Sequence, residues 1–471
     1  VLRVSAICED IGVPAATLVC EGFVRQAAAT SVGLGLPGMP VAVVPGHLDA
    51  QSPEEIRANV IEVTTQQVID ALLKNTALGE IDEEPDEREV VCRGTFEEVN
   101  DAFYDREWTD GLPIVPPTRS KIEAFLKFTT RKPEEVLGVM LPDQRAATVW
   151  SIAVNGVMAG CRPEYMPILV ALVEAMCDEN YGVEHSGNTP GAETQIILNG
   201  PIIKQLGFNY TQGVMRDGFR ANTAVGRFWR LYLRNVAGFI LHKTDKGTYG
   251  NTFRVVVPEN EDLLKSLEWP PLSVDMGFRA GDNTVTISRF TGGGVIAGAA
   301  GSTAEAIMVN LADAILRQYS WQLCFFMGSG YGSLRPMLVL SPILAQTIAR
   351  DGWTKQRVKE YLFQHARMPA WKFERYLRDW MNKPIWKLAD EVKAGRIPKM
   401  FHESDDPERL VPIVWKPEDY LVVVSGDPMR TNAYVFAHNG RLGFPTTKKI
   451  ALPDDWAKRL PPLSPNSGSR P

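Results

Sequence analysis

Much of what would announce a function is missing from these 471 residues. No run of about 18 apolar residues occurs. The most apolar stretch, residues 292–316, is broken by Glu305, Asn310 and Asp313. A membrane is therefore not an expected partner. Positive charge is not in excess either, since 50 Lys and Arg face 56 Asp and Glu. A nucleic-acid binder needs a basic footprint, so nucleic acid is not expected. The six cysteines (Cys8, Cys20, Cys92, Cys161, Cys177 and Cys324) form no CxxC pair. The six histidines (His47, His185, His242, His365, His402 and His438) show no HxH or HExxH spacing. Neither a zinc ribbon, a thioredoxin-type motif nor a histidine-rich metal site is expected. No glycine cluster is followed by GKS or GKT, which excludes a P-loop. No cofactor is assigned. A charged start followed by an apolar core is also lacking, so a cytoplasmic protein with reduced thiols is the expectation.

What is present is a globular composition, 45% hydrophobic and 23% charged, in a chain long enough for more than one domain. The charge is uneven. Residues 1–100 carry 6 Lys and Arg against 17 Asp and Glu, a net of −11, and the remainder nets +5. Much of the acidity lies in residues 80–89 (EIDEEPDERE), which read as a solvated linker. The expected organisation is a lobe at 1–79, an acidic linker at 80–94, a large domain at 95–460 and a disordered tail at 461–471. Both lobes are α/β. Strands at 13–20 and 40–44 alternate with helices at 21–33 and 53–74, the second opened by the capping box Ser52-x-x-Glu55 with Pro53 at its first position. β-α-β-α makes the two strands parallel. A two-stranded parallel sheet cannot bury both faces alone, so the lobe reads as truncated. In the larger domain, strands are expected at 195–198, 284–287, 337–340 and 421–424. A capping box at Ser302-x-x-Glu305 is expected to open a further helix. No internal repeat is evident.

Six features are candidates for chemistry. The glycines Gly292, Gly293 and Gly294, in a Gly-rich stretch ahead of a capped helix, suit a backbone approach to an anion; close helix–strand packing is the alternative. Arg227, Arg230 and Arg234 fall on one helical face at i, i+3, i+7, with Arg216 and Arg220 before them. Arginine forks suit carboxylates and phosphates, and they equally suit ion pairs with acidic residues of another domain or subunit. Asn222 is expected to cap that helix, and Asn222 and Asn199 to orient the anion. Loops at the carboxyl ends of strands hold Glu21, His47 and the 425–427 turn, where α/β sheets bind ligands. His47 is a candidate general base or a solvated loop residue. Asp110, in the Pro-stiffened segment 108–118 (WTDGLPIVPPT), is a candidate acid/base or part of a rigid brace. Residues 353–387 are aromatic and basic, but Phe373, Leu377, Trp380 and Met381 make a core stripe. Cys8 and Cys20 read as buried structural thiols.

A resemblance can be set beside these readings. Residues 1–75 resemble the UGSC-like family, through residues 8–15 (CEDIGVPA), 21–27 (EGFVRQA), 36–47 (LPGMPVAVVPGH) and 52–55 (SPEE). The family is named for a Sec/Cys-Gly-Ser-Cys motif at the end of a strand. The resemblance implies that this motif lies just upstream of Val1, so none of its redox residues maps onto a position here. Residues 105–453 look like an uncharacterised bacterial domain often found with the first, through 108–118, 155–165 (NGVMAGCRPEY), 199–201 (NGP), 221–227 (ANTAVGR), 234–238 (RNVAG) and the Gly426 loop. The expectation is an enzyme acting on a small anionic molecule, with thiol- or selenol-linked redox chemistry implied by the resemblance. The alternatives are a non-redox hydrolase or lyase using Asp110 or His47, and a non-catalytic binding or assembly subunit. A homo-oligomer or a partner subunit is compatible with each.

Overall fold

The computed structural model describes residues 2–73, 85–251, 256–319, 323, 331–380, 385–438 and 440–460. The tail at 461–471 and the first half of the 80–89 acidic run, residues 80–84, lie outside them.

The small lobe is α/β as expected. It begins with a helix the sequence reading did not contain, α1 (Leu2–Asp10). Then come β1 (Thr17–Cys20), α2 (Val24–Gly33) and β2 (Val41–Val44). β1 and β2 pair in parallel, Thr17 opposite Val41 and Cys20 opposite Val44. Ser52 and Glu55 form the expected capping box at the start of α3 (Pro53–Asn59), Ser52 Oγ accepting from Glu55 N and Glu55 accepting from Ser52 N. A π-turn over Val60–Thr64 carries the helix into α4 (Thr65–Leu73). Leu2, Ala6, Val19, Ala27 and Met39 make a small core. Cys8 and Cys20 are half-buried, not buried.

The larger domain opens with the helices Phe96–Asp105 and Arg119–Leu126, followed by a hairpin, β3 (Val136–Met140) with β4 (Arg145–Thr148). Its main sheet uses β5 (Glu193–Asn199), β6 (Val256–Pro258), β7 (Thr284–Ile296) and β8 (Met337–Leu340). A short ladder of β9 (Arg367–Pro369) and β10 (Leu410–Pro412) stands apart. The main sheet is completed by β11 (Leu421–Val424), β12 (Ala433–His438) and β13 (Thr446–Lys449). Its order is β11-β8-β12-β7-β5-β6, with β13 following β12 along β7.

That order holds a symmetry that the sequence does not display. β5 and β6 are parallel to each other, and β5 is antiparallel to β7. β8 and β11 are likewise parallel, and β8 is antiparallel to β12. β7 and β12 meet antiparallel at the centre. The first three strands and β8, β11 and β12 thus form two copies of one motif, related by an approximate two-fold through the sheet. The edge strands then meet: Asn260 N donates to Val424 O at 2.8 Å and Ser425 Oγ to Pro258 O at 2.7 Å. Side chains alternate across a strand. One face therefore gathers Ile197, Val257, Phe290, Val339, Val423 and Phe436, with Leu272 and Val214 packed among them. The other face is divided between two helical cores, one per copy. The helix Met166–Met176 buries ten of its eleven residues in the first, as a helix apolar all round must.

Other expectations need correction. The helix Ala304–Arg317 is capped by Thr303 Oγ1, not Ser302. Residues 353–387 hold the helix Lys355–His365, then β9, then the helix Ala370–Trp380. Phe373 and Leu377 are buried as the core stripe requires, while Met381 lies outside the described residues. Among the described residues no helix is long and apolar enough to cross a membrane.

Candidate functional site

A cleft of about 210 Å³ lies where the small lobe meets the larger domain. The lobe contributes Arg3 from α1 and Gln26 and Thr30 from α2. The larger domain contributes Pro142, Glu184, His185, Gly187, Asn188, Phe239 and Thr244. Clefts between domains with a few convergent polar groups are the usual place for small-molecule sites.

The wall is built by the turn that precedes β5. Gly182 sits at φ 61°, a left-handed conformation that glycine adopts without cost, and starts a single turn over Val183–His185. Gly187 is needed for a close approach, since a Cβ there would lie 2.6 Å from Phe239 Cδ1 and from Thr244 O. Asn188 Oδ1 accepts from Ala192 N at 3.0 Å. Its Nδ2 is buried and has no hydrogen-bond partner among the described residues. Arg289 anchors the turn from behind. It is fully buried, donates from Nη2 to Gly182 O (2.9 Å) and Ser186 Oγ (3.1 Å), and lies 4.5 Å from the Tyr181 ring centre. Its Nη1 reaches Leu442 O.

His185 is the titratable group of interest. Its side chain is 43% exposed, and its Nε2 is 3.9 Å from Glu184 Oε1, beyond hydrogen-bond distance. Partial burial pushes its pKa down, Glu184 works against that, and Arg289, Arg3 and Arg441 each push it further down. The imidazole is thus neutral at pH 7, between the Glu184 carboxylate and the charges of Arg289, Arg3 and Arg441. A neutral imidazole can take a proton, and an arginine on the cleft wall suits an anion.

The sequence candidates fall elsewhere. Asp110 and Arg227 are brought together, Nε to Oδ2 at 3.0 Å and Nη2 to Oδ1 at 2.8 Å. Arg227 Nη2 also reaches Pro113 O at 3.0 Å. This is the brace alternative for the 108–118 segment. Arg230 donates to Asp245 Oδ2 at 2.6 Å and lies 3.8 Å from Glu193 Oε2. It thereby holds the residue next to Thr244 on the cleft wall. Arg234 Nε donates to Glu107 O. The arginine row is therefore engaged within the chain.

Asn222 is not a cap. It lies inside the helix Arg220–Asn235, accepts from Asn209 N (2.9 Å) and donates to Asn209 O (2.8 Å) and Val256 O (2.9 Å). Asn199 ends β5 and donates to Glu259 Oε2 (2.7 Å) and Glu261 Oε1 (2.9 Å). Glu259 is fully buried near Lys355, so the chain's own charges occupy the carboxyl ends of β5 and β6. Gly292, Gly293 and Gly294 are not a loop but part of β7, opposite Ala437, Phe436 and Val435. A Cβ on Gly293 would sit 2.3 Å from Val435 O, so the strands' close approach accounts for that glycine. His47 lies in the exposed turn after β2, where Glu21 Oε2 accepts from Gly46 N at 3.1 Å. Neither His47 nor Glu21 lines the cleft. Ser425 ties β11 to β6, as above.

Sequence reasoning missed Arg3, His185 and Asn188. The one available signal was the polar run from Glu184 to Asn188 ahead of the apolar run Ile196–Leu198. It precedes β5, whereas the carboxyl-end rule directs attention to the other end of the sheet. Among the described residues no group of three or more His, Cys, Asp or Glu is placed to hold a metal.

The fold is α/β, a small N-terminal parallel sheet beside a larger mixed sheet, with a cleft lined from both parts of the chain. Residues 2–74 match the UGSC family. No curated protein matches the chain, and no solved structure does.

Proposed function

We propose that the protein is an enzyme acting on a small anionic molecule in the cleft between its lobes, with His185 moving the proton. The observation that supports this is a neutral imidazole facing a cleft that Arg3 also lines. Arg3 binds the acid group, and the Asn188 Nδ2 supplies a donor that the fold leaves without a partner. This moves the hydrolase or lyase reading from Asp110 and His47 to His185. The test is a thermal-shift screen of small carboxylates and phosphates, followed by turnover of each stabilising compound. Loss of turnover in His185→Gln with binding retained supports the reading; unchanged turnover defeats it.

Thiol- or selenol-linked redox chemistry is the second reading, favoured by the family match over 2–74. Cys8 lies on α1, the helix that supplies Arg3, and Cys20 ends β1; both are half-buried free thiols. Activity abolished by thiol alkylation favours it over proton transfer alone. The five described cysteines are all free, which supports a reducing compartment such as the cytoplasm.

A further inference from the structure

The two walls of the cleft belong to bodies with separate cores. The lobe's core of Leu2, Ala6, Val19, Ala27 and Met39 shares no residue with the core of the domain beneath it. Hydrogen bonds between them include three from side chains to backbone carbonyls: Gln26 Nε2 to Thr244 O (3.3 Å), Lys246 Nζ to Gly22 O (2.6 Å) and Gln144 Nε2 to Gly33 O (3.2 Å). Polar boundaries of this kind permit relative motion of domains. Among the described residues Arg3 is the one arginine or lysine that lines the cleft, and it comes from the lobe. Arg289 and Arg441, on the other body, act on His185 together with Arg3. Arg289 lies buried behind the turn, so an anion in the cleft meets Arg3 from the lobe and the unpartnered Asn188 amide from the domain, with the Glu184 carboxylate also on the wall.

We infer that the ligand's acid group is shared between Arg3 of the lobe and the turn carrying His185 and Asn188, so that an anion draws the lobe down onto the domain. This rests on the cleft being the functional site. It assigns Arg3 as the anion receptor and the small lobe as the closing element. A single acid group is enough, since an arginine fork takes one carboxylate or phosphate in two hydrogen bonds.

The test uses the full chain with inorganic phosphate and malonate as probes, read by calorimetry and by backbone hydrogen exchange. Either anion should slow exchange several-fold in residues 2–33 and 183–188. Arg3→Gln should weaken binding about 10-fold and abolish the slowing in 2–33. Arg25→Gln, exposed on α2 and away from the cleft lining, should keep both. His185→Gln should keep the slowing while losing turnover. Equal affinity in Arg3→Gln, or binding without slower exchange in 2–33, overturns the inference and Arg3's part in binding, and leaves His185 as the group that moves the proton. Binding with closure, but full turnover in His185→Gln, overturns the function and leaves the inference. Failure of both probes to bind the unaltered chain overturns the inference, whatever compound the thermal-shift screen selects.

Discussion

Asp110 and Arg227 meet in a two-pronged fork across 117 residues of chain, with side chains 5% and 16% exposed. The fork pins the Pro-rich 108–118 segment to the helix Arg220–Asn235. Truncating one partner strips the other, mostly buried charge of its fork, which costs about 3 kcal/mol. Asp110→Ala and Arg227→Ala should each lower the unfolding free energy read from urea titration by that order. The double variant should lose less than the sum of the two singles. A coupling near zero, together with lost turnover in either single variant, would return both residues to the site.

His185 gives a pH prediction with a definite sign. Burial and the nearby arginines hold its pKa below 6.5, so a reaction that needs the neutral imidazole should rise below that pH and be flat at neutrality. Arg3→Gln removes a charge that disfavours protonation, and the apparent pKa should move up. Glu184→Gln removes one that favours it, and the pKa should move down. An imidazole titration by NMR reads both shifts. Shifts of the same sign in the two variants would contradict the electrostatics of the cleft.

The sequence made some elements plain and hid others for identifiable reasons. β8 and β11 are short apolar runs stopped by Ser341-Pro342 and Ser425-Gly426, so propensity and punctuation agree. β7 was visible only over its first four residues, because three consecutive glycines read as a loop. Here β12 passes so close to Gly293 that no side chain fits, and a tertiary contact overrides local preference. Helical periodicity placed Arg227, Arg230 and Arg234 on one face but could not say that Asp110, Asp245 and the Glu107 carbonyl await them. The cleft joins Arg3 to His185, residues with no sequence relationship, and only the packing of the lobe brings them together.

His438 should govern the acid limit of the fold. Its Nδ1 accepts from Arg335 N (3.2 Å) and Gly440 N (3.1 Å), so Nε2 carries the proton and donates to Gly443 O at 2.8 Å. Protonating Nδ1 would break two bonds in a fully buried site. Burial, and then Arg335, push its pKa down to about 3. The folded state therefore binds fewer protons than the unfolded chain between pH 6.5 and about 3. Stability from this group is complete above pH 6.5 and is lost as pH falls through that window. His438→Gln should be less stable at pH 7 and should show a shallower acid decline in urea midpoint. An unchanged slope would remove His438 from the acid response.

The buried pair Glu259 and Lys355 joins the two copies of the sheet motif and gives the opposite pH sign. Lys355 Nζ donates to Pro270 O (2.8 Å), lies 3.1 Å from Asp275 Oδ2 and is 3.9 Å from Glu259 Oε1. Burial raises the Glu259 pKa, while Lys355, the Asn199 amide and the Leu272 N–H hold it back. Lys355→Met removes the strongest of those restraints, so the carboxyl should climb further and keep its proton to higher pH. A carboxyl raised in the folded state stabilises at low pH, and that contribution is lost as pH rises through its folded pKa. Lys355→Met should therefore cost about 3 kcal/mol near neutrality and less at pH 5, read from urea midpoints at pH 5 and 8. Adding Glu259→Gln should remove the pH dependence and recover part of the loss. Equal losses at both pH values would mean that Glu259 is not the group left uncompensated, and that the cost lies in Asp275 and the Pro270 carbonyl instead.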